Sequence, residues 1–509
     1  MNNTDNRFIC IPITESTSEA FLSAILEASQ QADIIELRLD YLSVADRSTV
    51  LSKLPALAAD PACKDLLLTF RPRQQGGHQD LSLEDRQTFW RLLPPEVIAA
   101  SRFVDFEFDL VESWDAHSPV PWEKVICSWH NFEETANDLL AQYDRMAATP
   151  AAIVKIATMA NRITDCLKTF ELIEHAKDKK PVIALAMSFA GVATRILSLA
   201  SGSFLTFGSL RKGAESAAGQ VTASDLTNLY RVTQLNRESE IFGIIGFPVA
   251  HSRSPIMHNA VFSSYGRNAA YLPFEVQDAG EFIRDFVRPE TKKFAWPLRG
   301  LSVTIPHKLA VIPYLDYVDS TAKTIGAVNT IVVENGKLSG FNTDIVGAMK
   351  PLEELVELSG VRVAVLGAGG SARAICHGLN QRGAETTIFA RDLIKAAPLA
   401  EEFTTKLERL DNFSGDFDVV INCTPIGMRH HSEGQSPLTA KSLLKTKLVY
   451  DLIYTPNETA LLLNAKTAGC QTLGGMSMLI GQAVEQMRLW LGLETTFEVM
   501  RKALESRES

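Results

Sequence analysis

Eight short β-rich runs, each followed by a polar or helix-patterned stretch, recur between residue 8 and about residue 210, and this rhythm leaves the first half few folds to choose from. The runs are FICIPI (8–13), DIIELRLD (33–40), LLLTFR (66–71), FVDFEF (103–108), KVICSWH (124–130), AAIVKIA (151–157), PVIALAMS (181–188) and FLTFGS (204–209). Several are almost continuously apolar, as parallel strands covered on both faces must be, and the stretches between them can hold crossover helices. Eight strand–helix units in so short a chain predict an N-terminal closed (β/α)8 TIM barrel rather than an open sheet.

The whole chain has 509 residues, enough for about three domains. TASDLTNLYRVTQLNRES (222–239) reads as a last barrel helix running into a polar break, and IFGIIGFPVAHSRSP then opens with a fresh strand and a Gly/Pro loop. A boundary is expected near residue 238. Further on, VRVAVLGAGGSARAICHGLN (361–380) is a strand–Gly–helix unit followed by the strand ETTIFA (385–390), a nucleotide-binding pattern. The expected division is therefore a barrel over 1–238, a separate α/β domain over 241–344, and a Rossmann-type domain over 345–475. The apolar-periodic segment MSMLIGQAVEQMRLWLG reads as a helix returning to complete the 241–344 domain, with 476–509 assigned to it.

Fifty basic against 60 acidic side chains give a net charge of −10, the wrong sign for a surface that tracks nucleic-acid phosphates. Seven cysteines with no C-x-x-C pair argue against a disulfide framework or a zinc ribbon, and no metal site is expected. The N-terminus lacks a basic region followed by an apolar run, and no stretch approaches the ~18 apolar residues of a membrane span. These features predict a soluble cytoplasmic protein whose partners are small molecules, not nucleic acid or membrane. Oligomeric state is left open by the sequence.

In a barrel of this kind the reactive groups sit at the C-terminal ends of strands. Glu36 and Arg38 have the same parity in the second run, and such charges facing inward are expensive unless they pair with each other or with a ligand. Arg71 closes the third run and His130 the fifth. Lys155 is the only lysine in its apolar run. Held among apolar neighbours and near arginines, its amine should lose its proton more readily than usual and become able to attack a ketone. Singly, each group has a bland explanation: a structural ion pair, a satisfied core histidine, a lysine snorkelling outward. Together, on four strand ends, they point to function.

The set ELRLD, TFR with GG shortly after, SWH, VKIAT, MSFAGVATR and ESAAGQ resembles type I 3-dehydroquinate dehydratase over about residues 7–236. The resemblance implies that Lys155 forms an imine with the C3 ketone of 3-dehydroquinate and that His130 is the general acid/base. It also implies that Glu36, Arg38, Arg71, Arg195, Ser216 and Gln220 hold the substrate's hydroxyls and carboxylate. One position departs: the family usually carries Glu just before the Gly-Gly pair, and here Gln75 stands in RPRQQGG. A glutamate touching the histidine would favour the imidazolium, whereas glutamine brings no charge, so a slower or pH-shifted dehydratase is expected.

In the second half Gly367, Gly369 and Gly370 follow a strand and open a helix, the context in which glycine backbones approach a pyrophosphate. Arg391 stands where an NAD enzyme usually has an acid and can meet a 2′-phosphate, which favours NADP; Asp392 dissents, since it could bind a ribose diol or repel the phosphate. Upstream, HSRSP offers Ser252 and Ser254, VTIPHK Thr304 and Lys308, GAVNT Asn329, and GFNTD Asn342 and Asp344. A lysine and an aspartate among hydroxyls and amides form a plausible acid/base pair for a polyhydroxylated substrate, although each alone could be turn or cap chemistry.

These motifs are similar to those of shikimate dehydrogenase over about residues 241–505. The resemblance implies that Ser252, Ser254, Thr304, Asn329, Asp344, Tyr454 and Gln482 bind 3-dehydroshikimate or shikimate, while Lys308 with Asp344 handles the proton. NADP would lie on Gly367, Ala368, Gly369, Gly370 and Ser371 and on Ala390, Arg391 and Lys395, with its nicotinamide near INCTPIGM, Leu452 and Gly475. Only the arginine of the family's N-R-T phosphate signature is present. The two halves together imply a bifunctional enzyme that dehydrates 3-dehydroquinate and reduces the product to shikimate. Two alternatives stand beside it: an aldolase-like lyase fused to an NAD-dependent quinate dehydrogenase, or a chain in which one half is a scaffold or sensor.

Overall fold

In the computed structural model, which describes residues 7–114, 118–429, 431–494 and 496–507, the first half is a barrel of eight parallel strands. They are β1 (Phe8–Ile13), β2 (Ile34–Arg38), β3 (Asp65–Thr69), β4 (Phe103–Glu107), β5 (Val125–Asn131), β6 (Ile153–Met159), β7 (Val182–Met187) and β8 (Leu205–Phe207). Each expected run is present, with ends displaced by no more than two residues. Ladders run in the order β7-β6-β5-β4-β3-β2-β1-β8. The last seam closes sparingly, with Phe204 N donating to Val182 O at 2.8 Å and Ala184 N to Ser203 Oγ at 3.4 Å.

Register explains why the barrel is apolar at one end and charged at the other. Because the strand period is two, Ile34, Glu36 and Arg38 share a face, as do Leu67 and Thr69, Phe103, Asp105 and Glu107, and Ile126, Ser128 and His130. In-register pairing sets Ile34 beside Cys10, Leu67 beside Phe103, and Ile126 beside Ile153. These residues pack with Ile183, Leu205 and Phe207 into one buried apolar cluster across the strands' N-terminal ends. Two residues further along the same strands the inward positions are Glu36, Thr69, Asp105, Ser128 and Lys155. A hydrophobic plug thus floors a polar chamber.

The last barrel helix expected to open 222–239 is short: the chain coils from Ala223 to Leu229, with Asp225–Leu229 as a π-helical turn, and Arg231 then takes φ +52°, in the left-handed region that ends it. The following stretch is fixed instead by bonds to its surroundings. Arg7 Nη1 donates to Thr233 O at 3.0 Å, Arg231 Nη2 to Ala269 O at 3.0 Å, Arg237 Nη2 to Ser201 O at 2.8 Å, and Trp296 Nε1 to Asn236 O at 3.2 Å. Trp296 is fully buried with its ring 5.0 Å from Phe170 on the barrel helix Asp165–His175.

The chain divides into two compact units. The first runs to Pro255 and adds Gly266–Leu298; the second takes Ile256–Tyr265 and everything from Arg299. Beyond the barrel, the first unit holds the parallel pair β9 (Glu240–Gly246) and β10 (Ala269–Glu275). The second unit carries β11 (Leu298–Val303), β12 (Tyr317–Val318), β13 (Thr330–Glu334) and β14 (Lys337–Phe341), in which β13 pairs antiparallel with β11 and β14, and β14 parallel with β12.

It then builds a second parallel sheet from β15 (Arg362–Leu366), β16 (Glu385–Ala390), β17 (Lys406–Arg409), β18 (Val419–Asn422), β19 (Leu448–Asp451) and β20 (Gln471–Gly474). Their order, β17-β16-β15-β18-β19-β20, is the doubly wound 3-2-1-4-5-6 arrangement, whose crevice opens between the first and fourth strands. β15 is buried on both faces: Val363 and Val365 pack in one cluster with Met349 and Ile375, and Ala364 and Leu366 in another with Phe389 and Leu461. The helix Gly475–Leu491, where MSMLIGQAVEQMRLWLG was expected to coil, returns to the helix Asp344–Glu353. It lies so close that a Cβ on Gly347 would meet Gln482 N at 2.6 Å.

Among the described residues no helix is long and apolar enough to cross a membrane. Trp296→Ala removes the largest side chain packed between Phe170 and Phe294; it is expected to destabilise the first unit by about 3–5 kcal/mol, measured by denaturant unfolding followed by circular dichroism.

Candidate active sites

β4 supplies the anions on which the barrel's other charges depend. Asp105 Oδ2 accepts a hydrogen bond from Lys155 Nζ at 3.0 Å and lies 2.6 Å from Arg71 Nη2, while Ser128 Oγ donates to Oδ1 at 2.6 Å. Burial alone would favour the protonated acid; Arg71 and Lys155 outweigh it and hold this carboxyl well below the usual carboxylate range. Lys155 is therefore one half of a buried ion pair, which corrects the picture of an amine held among apolar neighbours and arginines alone. Its Nζ also lies 3.6 Å from Glu36 Oε1 and 4.4 Å from the Phe207 ring centre.

Glu36 and Arg38 share a face without pairing to each other. Glu36 accepts from Thr69 Oγ1 at 2.8 Å, whereas Arg38 forks onto Asp40 at 3.0 and 2.8 Å and donates to Gly76 O at 2.8 Å. Arg38 thereby ties the loop that carries RPRQQGG to the end of β2.

His130 is fixed by Arg71, whose Nη1 lies 3.0 Å from Nε2. A guanidinium can only donate, so Nε2 accepts and the ring proton resides on Nδ1, which is buried without a partner. Burial, with Arg71 and Lys155 adding like charge, holds the imidazole's proton affinity well below the ordinary histidine value, and the ring is neutral. Gln75 reaches this residue through the backbone: its Oε1 accepts from His130 N at 3.0 Å. The expected side-chain contact between position 75 and the ring is replaced by a main-chain one.

Arg195, on the helix Val192–Ser201, is 2% exposed and, among the described residues, has no carboxylate partner and no hydrogen bond at its buried Nε. Its one bond, from Nη2 to Ala218 O, is 3.3 Å long, and burial lowers its proton affinity to about 10. A buried guanidinium without an anion is costly unless a ligand supplies one. Ser216 and Gln220, on the loop that includes Ala218, hold each other through Ser216 N to Gln220 Oε1 at 2.8 Å.

In the second unit Lys308 Nζ donates to Asp344 Oδ2 at 2.6 Å, and Asn329 Nδ2 to Asp344 Oδ1 at 2.7 Å. Asn329 Oδ1 accepts from Thr343 N at 2.8 Å and Thr330 Oγ1 at 2.8 Å, so its amide serves to aim the aspartate. Behind it Gln486, fully buried, bridges Ser302 Oγ at 2.9 Å and Thr330 Oγ1 at 3.0 Å. Thr304 follows β11 and Tyr454 follows β19, both half-buried, while Gln482 bonds within its own helix, Nε2 to Leu479 O at 2.9 Å. Ser252 and Ser254 lie in the first unit, with Ser254 N donating to Ser252 Oγ at 3.3 Å.

The dinucleotide cradle is built at the open end of β15. Gly367 takes φ +102°, and a Cβ there would press on Thr424 Cγ2 at 3.0 Å across the crevice; Gly369 and Gly370 face open space. Gly369 caps the helix Gly370–Gln381 without any side-chain bond, so the first amides of that helix are free to meet an anion. Ala368 and Ser371 flank the glycines. At the end of β16, Ala390 is followed by exposed Arg391. Asp392 is the cap of the helix Leu393–Glu402, its Oδ1 accepting from Lys395 N at 3.1 Å. Leu452 follows β19, and a Cβ on Gly475 would meet Leu452 O at 2.3 Å. These residues fit a phosphorylated dinucleotide: bare amides for a pyrophosphate and a free cation for a further phosphate.

Asp105, Glu107, Ser128 and Gln486, all buried beside these groups, are not among the candidates drawn from the sequence motifs. In FVDFEF the two acids sit at alternate positions of an apolar run, the same parity signal that marked Glu36 and Arg38.

A barrel whose polar end joins a paired lysine to a neutral imidazole, followed by a glycine cradle on a doubly wound sheet, defines a lyase coupled to a nicotinamide-linked oxidoreductase. Residues 9–237 match the family described as type I 3-dehydroquinase, 244–331 the shikimate dehydrogenase substrate binding domain, and 350–436 the shikimate / quinate 5-dehydrogenase family. A bifunctional 3-dehydroquinate dehydratase/shikimate dehydrogenase of Arabidopsis thaliana, named as chloroplastic, is 34% identical over 97% of this chain and 84% of its own length. The shikimate dehydrogenase (NADP(+)) of Methanococcus aeolicus is 37% identical over 53% of this chain and 98% of its own. A crystal structure of shikimate dehydrogenase in complex with NADP+ is 37% identical, with a TM-score of 0.50 over 54% of this chain and 98% of that one. The chain belongs to the bifunctional 3-dehydroquinate dehydratase/shikimate dehydrogenase family.

Gln75→Glu keeps an acceptor for His130 N while adding negative charge beside the imidazole. That charge favours the imidazolium, so the ionisation of His130, read as its own limb of the dehydratase pH–rate profile, is expected to move up by about one pH unit.

Proposed function

We propose that the barrel dehydrates 3-dehydroquinate to 3-dehydroshikimate and that the second half reduces this product to shikimate with NADPH. The observation that carries the first step is the amine of Lys155 bonded to Asp105 beside a neutral His130. In this reading the lysine gives its proton to solvent and its Nζ attacks the C3 ketone as the free amine, while Asp105 stays ionised to face the cationic imine that follows. The adduct loses water to become an imine, and the protonated imine draws electrons from the neighbouring C–H bond. His130 removes the C2 proton and returns a proton to the departing C1 hydroxyl, which leaves as water. Hydrolysis of the imine frees the product and regenerates the amine. Arg195, buried without an anion of its own, is suited to the substrate carboxylate, with Ser216 and Gln220 on the loop beside it.

In the reductive half a nicotinamide, when bound at the glycine cradle, would supply the hydride that the C3 carbonyl needs. Lys308 holds a proton at the oxygen as it becomes a hydroxyl, with Asp344 aimed by Asn329 to keep the lysine in place. Thr304, Tyr454 and Gln482 are assigned to the substrate's hydroxyls by the resemblance. The free amides after Gly369 suit the pyrophosphate, and exposed Arg391 with Lys395 supports preference for the 2′-phosphate of NADP, as the names of the methanogen relatives suggest. Seven free thiols suit a reducing compartment, and we place the chain in the cytoplasm.

The test is a coupled assay supplied with 3-dehydroquinate and NADPH, read as shikimate formed. Lys155→Ala should lose dehydratase turnover and the borohydride-trapped substrate adduct while still reducing 3-dehydroshikimate. Lys308→Ala should lose about 10²–10⁴-fold in reductase rate with dehydration intact. Normal turnover in either variant would refute the role given to that lysine.

A further inference from the structure

Glu107 ends β4 two residues beyond Asp105 and is 1% exposed. Its Oε2 accepts from Arg86 Nη1 at 2.9 Å. Among the described residues its Oε1 has no hydrogen bond, and it faces Arg71 Nε, which also has none, across 3.6 Å. Arg71 meanwhile spends Nη1 on the lone pair of His130 Nε2, the atom that must be free to take a proton from carbon. Two unsatisfied buried atoms thus stand opposite each other behind the residue that blocks the base.

We propose that Glu107 is a positioning residue for the dehydratase: its carboxylate is the alternative anchor for Arg71, and drawing the guanidinium back onto Oε1 releases His130 Nε2 for proton abstraction. The inference rests on the dehydratase reading of the barrel. Only ionised Glu107 can act this way, because a protonated acid neither attracts the guanidinium nor offsets its charge at the imidazole.

The surroundings make that ionisation a matter of ordinary pH. Burial pushes the Glu107 carboxyl up, and Asp105 on the same strand adds to this, against Arg71 beyond β3 and Arg86 from the helix Leu83–Leu92; the balance lies at about 7. Asp109, on the helix after β4, shares Arg86 with Glu107, at 2.9 Å from Nη1. On the far side of Arg71 stand Glu36 from β2 at 4.0 Å and His130 from β5, with Lys155 from β6 bound to Asp105.

The experiment is the pH dependence of dehydratase kcat in the full chain, with borohydride trapping at Lys155 run in parallel. The native profile should rise through pH ~7 as Glu107 ionises. Glu107→Gln, which retains an acceptor for Arg86, should lose that rise and remain about three- to tenfold slower above about pH 8, with trapping at Lys155 intact. Arg86→Gln, which removes a cation facing Glu107, should retain the rise and move it to higher pH. A Glu107→Gln profile that keeps the native inflection, or one lowered equally at every pH, overturns the positioning role. Failure of the native chain to trap substrate would overturn the imine mechanism and this inference with it; trapping with an unmoved inflection overturns this inference alone.

Discussion

The barrel's chemistry depends on one buried guanidinium. Arg71 touches the imidazole of His130, the carboxylate of Asp105 and, more distantly, Glu36 and Glu107, so the charge states of the polar chamber are set together rather than residue by residue. Without Asp105 the lysine and arginine would be like charges in a low-dielectric space, a far costlier arrangement than a paired one. Without Arg71 the acids would repel one another and the imidazole would lose the donor that sets its tautomer. The same anion that stabilises the resting lysine is suited to the cationic imine that would follow, which lets a single set of charges serve both states.

How much of this was legible in the sequence differs between backbone and side chain. Strand parity located the barrel, the polar end of each strand and most of the charged groups, because a period of two is a property of the chain itself. Pairings between strands were not legible, since a guanidinium on one strand can meet an acid on any neighbour. For Glu36 and Arg38 the sequence leaves open a mutual pair or a ligand, and in the structure they bond not to one another but to Thr69 and Asp40. Asp105 and Glu107 were passed over although FVDFEF carries the same alternation, and the environment of Lys155 was misjudged for that reason. The stretch 222–239 reads as a helix running into a polar break, and the helix is cut short at Arg231, whose side chain bonds to the backbone of a neighbouring segment.

The second half was more readily read, because a glycine-rich turn between strand and helix is a local feature. What periodicity could not supply was the role of amides. Asn329 and Gln486 look like ligand-binding residues by type, yet their hydrogen bonds are turned inward to the Lys308–Asp344 pair and to β13. The glycine approach of the helix Asp344–Glu353 to Gly475–Leu491 sets that pair on a backbone with little room to shift. Rigidity here is provided by contact between main chains, where no side chain could be trimmed to loosen it.

The stretch from Arg231 to Glu240 has a consequence for how such a fusion can be rebuilt. Its carbonyls at Thr233 and Asn236 and its amide at Glu240 are already committed to Arg7, Trp296 and Asn268 O, and Arg231 and Arg237 donate to carbonyls on either side of it. It is a weld, not a rope. Lengthening it with a Gly/Ser spacer, or exchanging the barrel for another at this seam, would strand those polar groups, so any domain-swapping scheme has to carry the segment Gly266–Leu298 along with the barrel.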